Sequence, residues 1–334
     1  MTKPDAYLHR ISVVVPVYLG ETTLAALVEE LELFTTRFTT PDGHQASVDE
    51  ILLVNDNGPD DSSRVIRELE ERVAQVRGIW LTRNFGQHAA TIAGMASSGN
   101  GWIVTMDEDG QHNPADIPGM LDKALRESAH VVYAAPTNKP PHGFVRSSSS
   151  RLAKHLIASL FADKHAHPSD YQSFRLILGE VGRSVAAYSG SGVYLDIALG
   201  WVTTRVTTMP VELRAEKRAV SGYSYPSLLA HFWRMVLSSG TRGLRIVSVL
   251  GAILAFVGVF FSIYFVIQRL AGGDFPQGWT TVIIVALLSS GAILISLGII
   301  AEYLGVAVNM AMGKPLYTIM SDPSKGPLGR RTNE

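Results

Sequence analysis

One short stretch of the chain places oxygen-bearing side chains at alternate positions directly after an apolar run. In residues 102–111, WIVTMDEDGQ, the apolar run ends at Asp107, and Asp109 and Gln111 follow at alternate positions. In an open α/β sheet, ligands bind beyond the carboxyl ends of the strands. Carboxylate and amide oxygens at such a place suit a hard cation, Mg²⁺ or Mn²⁺, of the kind that accompanies a substrate diphosphate. The alternative is a polar turn with solvated carboxylates, and the surrounding sequence has to decide.

The elements that must position this turn are predicted by the pattern of the first 230 residues or so. Short apolar, β-branched runs alternate with helical stretches, which predicts right-handed crossovers and a mostly parallel α/β sheet. The runs cover residues 11–17, 50–54, 78–83, 102–106 and 130–134, and helical stretches include 21–38, 60–76 and 114–127. No G-x-G-x-x-G follows the first run and there is no Walker-type lysine loop, which disfavours a dinucleotide-binding fold or a P-loop enzyme.

The turns after the first and third predicted strands carry residues that could contact a nucleotide. In VVVPVYLGE, Pro16 ends the strand ladder, Tyr18 can stack on a base, and Glu21 can bind a ribose or cap a helix. In RNFGQHAA, Asn84 and Gly86 form a tight turn that could approach a nucleotide. None of these residues indicates a nucleotide site by itself, so the prediction depends on their order along the chain.

Other polar residues in the turns divide between functional and structural roles. In NDNGPDDS, Asp56 lies at the carboxyl end of a buried run, where it could accept a hydrogen bond from a nucleobase or ribose. Asp60 or Asp61 instead caps the next helix, so we expect structural roles for both. In the fourth turn, we expect Glu108 to be a bystander, and no chemistry here requires the imidazole of His112.

Length, charge and cysteine content narrow the class of protein. The 334 residues allow more than one folding unit and a sizeable core, and the net charge of -1 gives no reason to expect nucleic acid as a partner. The chain has no cysteine, which excludes disulfides and thiolate metal sites. Its N-terminal residues lack the apolar core of a signal peptide.

Beyond Arg245 the chain becomes strongly apolar. Residues 246–268 and 280–301 contain no charged residue, and each stretch is long enough to cross a bilayer, which predicts a transmembrane hairpin. Basic residues flank the pair and are scarce between its members, so both termini and the α/β domain should be cytoplasmic. The flanking residues are Arg234, Arg242, Arg245, Lys314, Lys325, Arg330 and Arg331, against Arg269 in the connecting loop.

A helical pattern precedes the first apolar stretch. Residues 227–237 are amphipathic at helical period, with Trp233 on the apolar face and Arg234 opposite. This pattern favours a helix in the membrane interface. A helix packed on the soluble domain is the alternative.

Together these motifs resemble a known family. VVVPVY with Glu21, LVNDNGPDDS, RNFGQHAATIAG and DEDGQ occur in the order and spacing of inverting glycosyltransferases with a GT-A fold. More narrowly, the chain resembles the polyprenyl-phosphate glycosyltransferases, which include dolichyl-phosphate mannose synthases, bactoprenol glucosyltransferases and undecaprenyl-phosphate aminoarabinose transferases. The last group is also similar in residues 301–317, AEYLGVAVNMAMGKPLY. The likeness covers nearly the whole chain.

The resemblance implies a fold and a domain organisation. The fold class is α/β, a GT-A type domain with a mostly parallel sheet plus a C-terminal two-helix transmembrane hairpin. The cytoplasmic glycosyltransferase domain would cover residues 1–226 and an amphipathic juxtamembrane helix 227–245. Two transmembrane helices would cover 246–304 and a cytoplasmic tail 305–334, in the inner or plasma membrane.

The resemblance also implies roles for individual residues. Asp109 and Gln111 would ligate the metal ion, and Asp107 would contact the ribose or diphosphate. Arg175, in YQSFRL, would act on the acceptor side, so that Asp107, Asp109 and Arg175 form the catalytic set. The expected donor-binding residues are Pro16, Tyr18, Glu21, Asp56, Asn84, Asp107, Ser221 and Tyr223.

Two departures from the family pattern affect the acceptor side. Ser173 stands where many relatives carry Asp before Phe-Arg, which puts a catalytic base there in doubt; Asp170 could substitute. The loop after the fifth predicted strand lacks the relatives' early arginine. Lys139, Arg146 and Arg151 are left as candidates for binding the acceptor phosphate, with a solvated surface role as the alternative for each.

The implied reaction moves a sugar from a nucleoside-diphosphate sugar to a polyprenyl (undecaprenyl) phosphate with inversion at the anomeric carbon. Mg²⁺ or Mn²⁺ would neutralise the charge that develops on the leaving group. The expected partners are the nucleotide sugar, the polyprenyl phosphate and the lipid bilayer, with no nucleic acid, and a homo-oligomer is open because two-span anchors often associate. UDP-glucose, UDP-N-acetylhexosamine, GDP-mannose and a UDP-aminopentose are all open as donors, and analogy favours a UDP-sugar.

Two other classes of protein are alternatives. A processive polysaccharide synthase usually carries a Q-x-x-R-W element and more spans, and the sequence has neither. A non-catalytic membrane subunit that binds nucleotide or lipid would not need Asp109 and Gln111. The sequence therefore favours the transferase.

Overall fold

The computed structural model describes residues 7–138, 172–190, 194–214, 278–313 and 315–325, together with positions 260, 263 and 267. The chain divides into two compact units, Met1–Tyr223 with Pro315–Glu334, and Ser224–Lys314. The strands of the described residues are β1 (Leu8–Val17), β2 (Phe38–Thr39), β3 (Gln45–Asn55), β4 (Val76–Leu81), β5 (Trp102–Thr105), β6 (Val131–Pro136), β7 (Arg175–Leu178), β8 (Val206–Val211) and β9 (Ile319–Met320). The α-helices are α1 (Leu24–Glu32), α2 (Ser62–Arg72), α3 (Gln87–Ser97), α4 (Ile117–Glu127), α5 (Gly179–Tyr188), α6 (Leu195–Val202) and α7 (Trp279–Ala311).

The first unit is built on one sheet with the strand order β8-β6-β7-β5-β1-β3-β4-β9, and β2 pairs with β3. Strands β1, β3, β4 and β5 are parallel neighbours, and β6 is parallel to β8. Only β7 runs against its neighbours β5 and β6 inside the sheet. The carboxyl ends of the parallel strands therefore meet at one edge, and the amino end of β7 lies at that same edge.

The apolar runs become strands because both faces of the sheet are covered. Val13 and Val15 of β1 belong to one buried cluster, and Val14, between them, belongs to a second. This alternation is the two-residue period of a strand. Helices α1, α2 and α4 contribute to the first cluster, whereas α3, α5 and α6 contribute to the second. The predicted α/β fold with a mostly parallel sheet is confirmed.

Four strands differ from the sequence prediction, namely β2, β7, β8 and β9. The pattern alone did not identify β2 and β9, because two-residue strands are too short to show a period. Strands β7 and β8 were not predicted either, and β7 is antiparallel to β5 and β6. Its reversed direction matters for the site, because it brings the residues before β7 to the carboxyl edge.

Apart from positions 260, 263 and 267, the described part of the second unit is essentially helix α7, which extends over 33 residues and includes the second expected span. Within the part of the chain that the structure describes, no helix meets both the length and the apolar character expected of a membrane span. The expected interfacial helix and the first expected span lie outside the described residues, apart from positions 260, 263 and 267.

Candidate functional site

The turn that follows β5 alternates between partly exposed and buried side chains. Asp107, Asp109 and Gln111 are partly exposed, whereas Glu108 and His112 are buried. The backbone N–H of Gln111 donates to Oδ1 of Asp109 at 3.0 Å, which closes a tight local turn. The predicted oxygen donors therefore share the accessible side of the turn, and the residues between them face the protein.

Two side chains from other elements bind the carboxylate of Asp107. Nε2 of Gln87, the first residue of α3, donates to Oδ1 at 2.5 Å, and Oγ of Ser173 donates to Oδ2 at 2.6 Å. The carbonyl of Ser173 in turn accepts from Oγ1 of Thr105 at 2.7 Å, at the end of β5. Asp107 is thus oriented by hydroxyl and amide donors, and Ser173 contacts it from the position where many relatives carry Asp.

Glu108 links this turn to the turn that follows β1. Its Oε2 accepts from the backbone N–H of Tyr18 at 3.0 Å and its Oε1 from that of Leu19 at 2.9 Å. Its side chain is buried, with an exposed fraction of 9% for the residue. Glu108 is therefore not the bystander that the sequence predicted.

The turns after β1 and β3 are joined by a second pair of carboxylates. The N–H of Glu21 donates to Oδ2 of Asp60 at 3.0 Å, and Oε2 of Glu21 accepts from the N–H of Asp61 at 3.2 Å. Asp60 also accepts from the N–H of Ser62 at 3.3 Å, which agrees with its expected structural role. Asp61 precedes α2 without a side-chain capping bond.

Asp56 binds the turn that follows β4. Its two oxygens accept from the backbone N–H groups of Phe85 at 2.7 Å and Gly86 at 2.8 Å. Burial raises the pKa of Asp56 above its ordinary value, although these two hydrogen bonds and the charge of Arg83 act in the opposite direction. Asn84, also predicted to contact the nucleotide, is exposed in the same turn.

Arg175 lies deep in the protein at the start of β7. It is only 3% exposed, its Nε donates to the carbonyl of Gln172 at 2.8 Å, and its Nη1 lies 3.3 Å from Oδ1 of Asp196. The hydroxyl of Tyr133 donates to the same carboxylate oxygen at 3.0 Å. Burial raises the pKa of Asp196, while the charge of Arg175 and the Tyr133 bond oppose that rise. Arg175 is thus part of a buried ion pair whose partners the sequence did not identify.

His112 contacts the backbone of the turn that follows β5. Its Nδ1 accepts from the backbone N–H of Asp107 at 3.0 Å, and its ring stacks on Phe174 at a centroid distance of 5.0 Å. The ring of His112 therefore connects the backbone of Asp107 to the residue that precedes β7. No role was predicted for His112, because nothing in DEDGQH indicates which way its ring points.

Arg214 binds the far end of the turn. Its backbone N–H donates to the carbonyl of Gln111 at 3.0 Å, and its guanidinium donates to Asn113 and Glu30, each at 2.6 Å. Nearby, burial raises the pKa of Asp116, opposed by the charges of Arg214 and His112. The segment after β8 therefore contacts the turn that carries the predicted metal ligands.

The structure brings most of the predicted site residues to one edge of the sheet. Tyr18 is 40% exposed there, whereas Pro16 is buried inside β1 opposite Val54. Glu21, Asp56, Asn84, Asp107, Asp109 and Gln111 lie in the turns of the same edge. The candidates Ser221, Tyr223, Asp170, Lys139, Arg146 and Arg151 lie outside the described residues.

Asp109 and Gln111 offer the donor chemistry that Mg²⁺ and Mn²⁺ prefer, since both present oxygen atoms on an accessible face. Among the residues with described positions, no group of three or more His, Asp or Glu side chains is placed to bind an ion by itself. Mg²⁺ is usually bound by one or two carboxylates, and substrate phosphates and water complete its shell. The donor set fits a cation shared with a bound diphosphate.

Comparison with known proteins gives the class. Residues 12–181 match the family described as Glycosyl transferase family 2. The chain belongs to this family and is a glycosyltransferase, which confirms the class that the motifs predicted.

Individual relatives are similar over nearly the full length. The chain is 29% identical to an undecaprenyl-phosphate 4-deoxy-4-formamido-L-arabinose transferase of Enterobacter sp. (strain 638), over 98% of this chain and 97% of the relative. It is 28% identical to the protein of the same name from Klebsiella pneumoniae (strain 342), over 93% of each chain. The crystal structure of a mycobacterial protein shares the fold with a TM-score of 0.50 and 17% identity, over 70% of this chain and 74% of that one.

Proposed function

We propose that this glycosyltransferase transfers a sugar from a nucleoside-diphosphate sugar, a UDP-sugar in the favoured case, to a polyprenyl phosphate with inversion. The product is a polyprenyl-monophosphate sugar that serves cell-envelope glycan or lipid modification. The observation that carries the proposal is the shared edge at which Asp107, Asp109 and Gln111 meet the turns of β1, β3 and β4. The names of the full-length relatives, which are undecaprenyl-phosphate transferases, support this class of acceptor.

On the donor side, the residues divide between binding and orientation. Tyr18 is exposed and available to a nucleobase, and Asp107 is oriented by Gln87 and Ser173 to accept from a ribose or to face the diphosphate. Asp109 and Gln111 would bind the cation together with the diphosphate. When bound, Mg²⁺ or Mn²⁺ supplies positive charge that stabilises the departing nucleoside diphosphate.

On the acceptor side, the reaction requires that the phosphate be positioned correctly more than that a base remove a proton from it. A phosphate monoester with a second pKa of about 6 is already largely dianionic near neutral pH. Its oxygen can attack the anomeric carbon from the face opposite the leaving diphosphate without a strong base. Ser173, a hydroxyl that donates to Asp107, is compatible with such an acceptor. The protein then contributes mainly orientation and electrostatic stabilisation.

A membrane-bound acceptor calls for a membrane-bound enzyme. We propose a two-helix hairpin over residues 246–304, with the catalytic domain and both termini in the cytoplasm. The two uncharged stretches and the arrangement of basic residues around them support this topology. Exposed apolar side chains on α7, among them Val282, Ile293 and Leu297, are compatible with contact to lipid.

The direct test supplies the protein with undecaprenyl phosphate, Mg²⁺ or Mn²⁺, and each of the four candidate donors in turn. We expect mass spectrometry to detect one polyprenyl-monophosphate sugar. Asp109→Ala should lower turnover at least about 100-fold, in line with the loss of one preorganised electrostatic contact at developing charge, while the fold and membrane association persist.

Asp49→Ala is the matched control for Asp109→Ala. Asp49 lies within β3, about 20 Å along the strand from the site at a rise of about 3.3 Å per residue, and it contacts Ser47 and Arg10. Asp49→Ala should leave turnover unchanged. Normal turnover in Asp109→Ala contradicts the metal assignment, a sugar polymer indicates a processive synthase, and no product with any donor favours the non-catalytic nucleotide- or lipid-binding subunit.

A further inference from the structure

Glu108 is the one acidic residue of the β5 turn that the proposed reaction does not use. It lies between Asp107 and Asp109, yet its side chain is directed into the protein and contacts the turn that follows β1. Its two oxygens bind two consecutive backbone N–H groups, those of Tyr18 and Leu19, at 3.0 and 2.9 Å. One carboxylate thus fixes the path of the turn from which the Tyr18 ring projects.

The packing around this contact leaves the β1 turn little freedom. A Cβ on Gly20 would lie 2.8 Å from Oε2 of Glu108, so the close approach of the carboxylate depends on glycine there. On the other side, a Cβ on Gly58 would lie 1.6 Å from the carbonyl oxygen of Tyr18. The β1 turn is therefore confined between Glu108 and the backbone of the β3 turn.

The strength of the contact follows from its chemistry. Hydrogen bonds from N–H groups to an ionised carboxylate are shorter and stronger than those between neutral groups. Without the carboxylate, the backbone N–H groups of Tyr18 and Leu19 lose this acceptor. The free-energy penalty of a partly buried donor without an acceptor is larger than the stabilisation that an ordinary hydrogen bond provides. The β1 turn is then expected to relax rather than to keep its conformation.

We propose that Glu108 is a positioning residue that couples the nucleoside end of the donor site to its diphosphate end. Because Glu108 lies between Asp107 and Asp109 on one backbone, the turn that would bind the cation also sets the position of Tyr18. The β1 turn and the β5 turn are therefore already correctly placed relative to each other when a nucleoside diphosphate binds. This lowers the entropic cost of ordering the two turns on binding. This inference rests on the proposed function, in which the site binds a nucleoside diphosphate.

A general structural role would predict a different pattern, and Glu50 offers the matched comparison. Glu50 also accepts from a backbone N–H, that of Gly99 at 2.9 Å, and from Oγ of Ser12 at 2.6 Å. These contacts lie midway along β1 and β3 and just before β5, away from the edge of the site. Glu50→Ala therefore removes a similar cross-brace without a contact to the β1 or β5 turns.

The experiment measures binding of UDP and of GDP by isothermal titration calorimetry in the presence of Mg²⁺, with full-length protein in nanodiscs. Glu108→Ala is expected to raise the dissociation constant about 10- to 100-fold, the range typical of lost second-layer partners at metal sites. Glu108→Gln, which keeps one acceptor oxygen, should lie between Glu108→Ala and the unchanged protein. Glu50→Ala should bind within about twofold of the unchanged protein, even where its thermal stability falls.

Each outcome decides a separate point. Equal affinity in Glu108→Ala and the unchanged protein overturns the positioning role alone, as does equal weakening in Glu50→Ala. If Glu108→Ala does not fold, Glu108→Gln decides the same question, because unchanged affinity there overturns the coupling. Failure of the unchanged protein to bind either nucleotide overturns the proposed function itself.

Discussion

The backbone N–H of Gly86 donates to Oδ2 of Asp56 at 2.8 Å, and this bond joins the turn after β4 to the turn after β3. Gly86 has a φ of 91°, in the left-handed region that favours glycine. The neighbouring N–H of Phe85 occupies the other oxygen of Asp56. The carboxylate that the sequence predicted to contact the nucleotide thus binds the protein's own backbone. Glu108 does the same between the turns of β5 and β1.

Asp56→Asn should destabilise the protein by about 1–3 kcal/mol, because the amide keeps one acceptor oxygen and turns an NH₂ group toward a partly buried N–H donor. Urea unfolding measures the loss, and hydrogen exchange at Phe85 and Gly86 locates it. Asp61→Asn is the control, because Asp61 is exposed and makes no capping bond, and it should cost less than about 0.5 kcal/mol. Unchanged stability in Asp56→Asn together with lost UDP binding would instead indicate a direct contact with the nucleotide.

Substitutions in the buried cluster of Arg175, Asp196 and Tyr133 are expected to lower the stability of the fold before they lower turnover. Asp196→Ala leaves the guanidinium of Arg175 buried without its carboxylate and should cost about 3–5 kcal/mol. Tyr133→Phe removes one hydrogen bond to Asp196 and should cost about 1 kcal/mol. Thermal unfolding and turnover measured on the same preparations test both. If Arg175→Ala keeps full stability and loses turnover, Arg175 contacts the acceptor in the manner that the family resemblance implied.

The part of the site that the sequence predicted is local, and the part that it missed is long-range. Placement of Asp107, Asp109 and Gln111 at a strand end follows from an apolar run and the geometry of parallel sheets, so pattern alone located the turn. The partners of these residues come from distant segments: Gln87 lies on α3 and Ser173 before an antiparallel strand. No periodic pattern indicates such pairings.

Buried polar pairs were missed for the same reason. Asp196 lies within a helix whose other buried residues are apolar, and only the fold places it against Arg175 and Tyr133. Glu108 was expected to be a bystander because a strand-like alternation says which residues share a face, and not what the opposite face contacts. Sequence patterns therefore predict faces, whereas the partners on those faces require the tertiary structure.

Ser173 offers a test of the acceptor chemistry. Ser173→Ala removes the hydroxyl that donates to Asp107 and should lower turnover about fivefold, the equivalent of about 1 kcal/mol, whereas Ser173→Thr should retain most of it. Ser173→Asp removes that hydroxyl and places a second carboxylate beside Asp107, so repulsion between like charges should displace Asp107 and lower turnover further than Ser173→Ala does.

Turnover of the Ser173 variants at neutral pH distinguishes these outcomes. An increase in turnover above the unchanged protein at neutral pH in Ser173→Asp would mean that the reaction gains from a base, and would contradict an acceptor that arrives ionised. Turnover of Ser173→Asp equal to that of Ser173→Ala would mean that the second carboxylate does not interact with Asp107.

The last described segment of the chain completes the sheet beside the site. β9 pairs antiparallel with β4, and the N–H of Thr82 donates to the carbonyl of Thr318 at 3.1 Å, just before the turn that binds Asp56. Arg67 fixes this segment, because its Nε and Nη2 donate to the carboxylate of Asp322 at 2.9–3.0 Å. Burial alone would raise the pKa of Asp322, but the bonds from Arg67 and Ser324 outweigh it and lower the pKa.

Asp322→Asn should therefore release the tail in a pH-dependent way. A pKa that is lower in the folded state contributes stability above the ordinary carboxyl value of about 3.9, and that contribution disappears as the pH falls through the lower folded value. At pH 7 the variant should lose about 1–2 kcal/mol of tail docking, since Arg67 is partly exposed, and once the pH falls below the folded pKa of Asp322 it should match the unchanged protein. Hydrogen exchange at Thr82 reports the docking directly.

Lys325→Ala is the control. The ammonium of Lys325 lies 4.0 Å from Glu70 at an exposed position and should contribute little to stability. A difference between Asp322→Asn and the unchanged protein that stays at full size as the pH falls through the range in which Asp322 protonates would mean that shape, and not the charge of Asp322, fixes the tail.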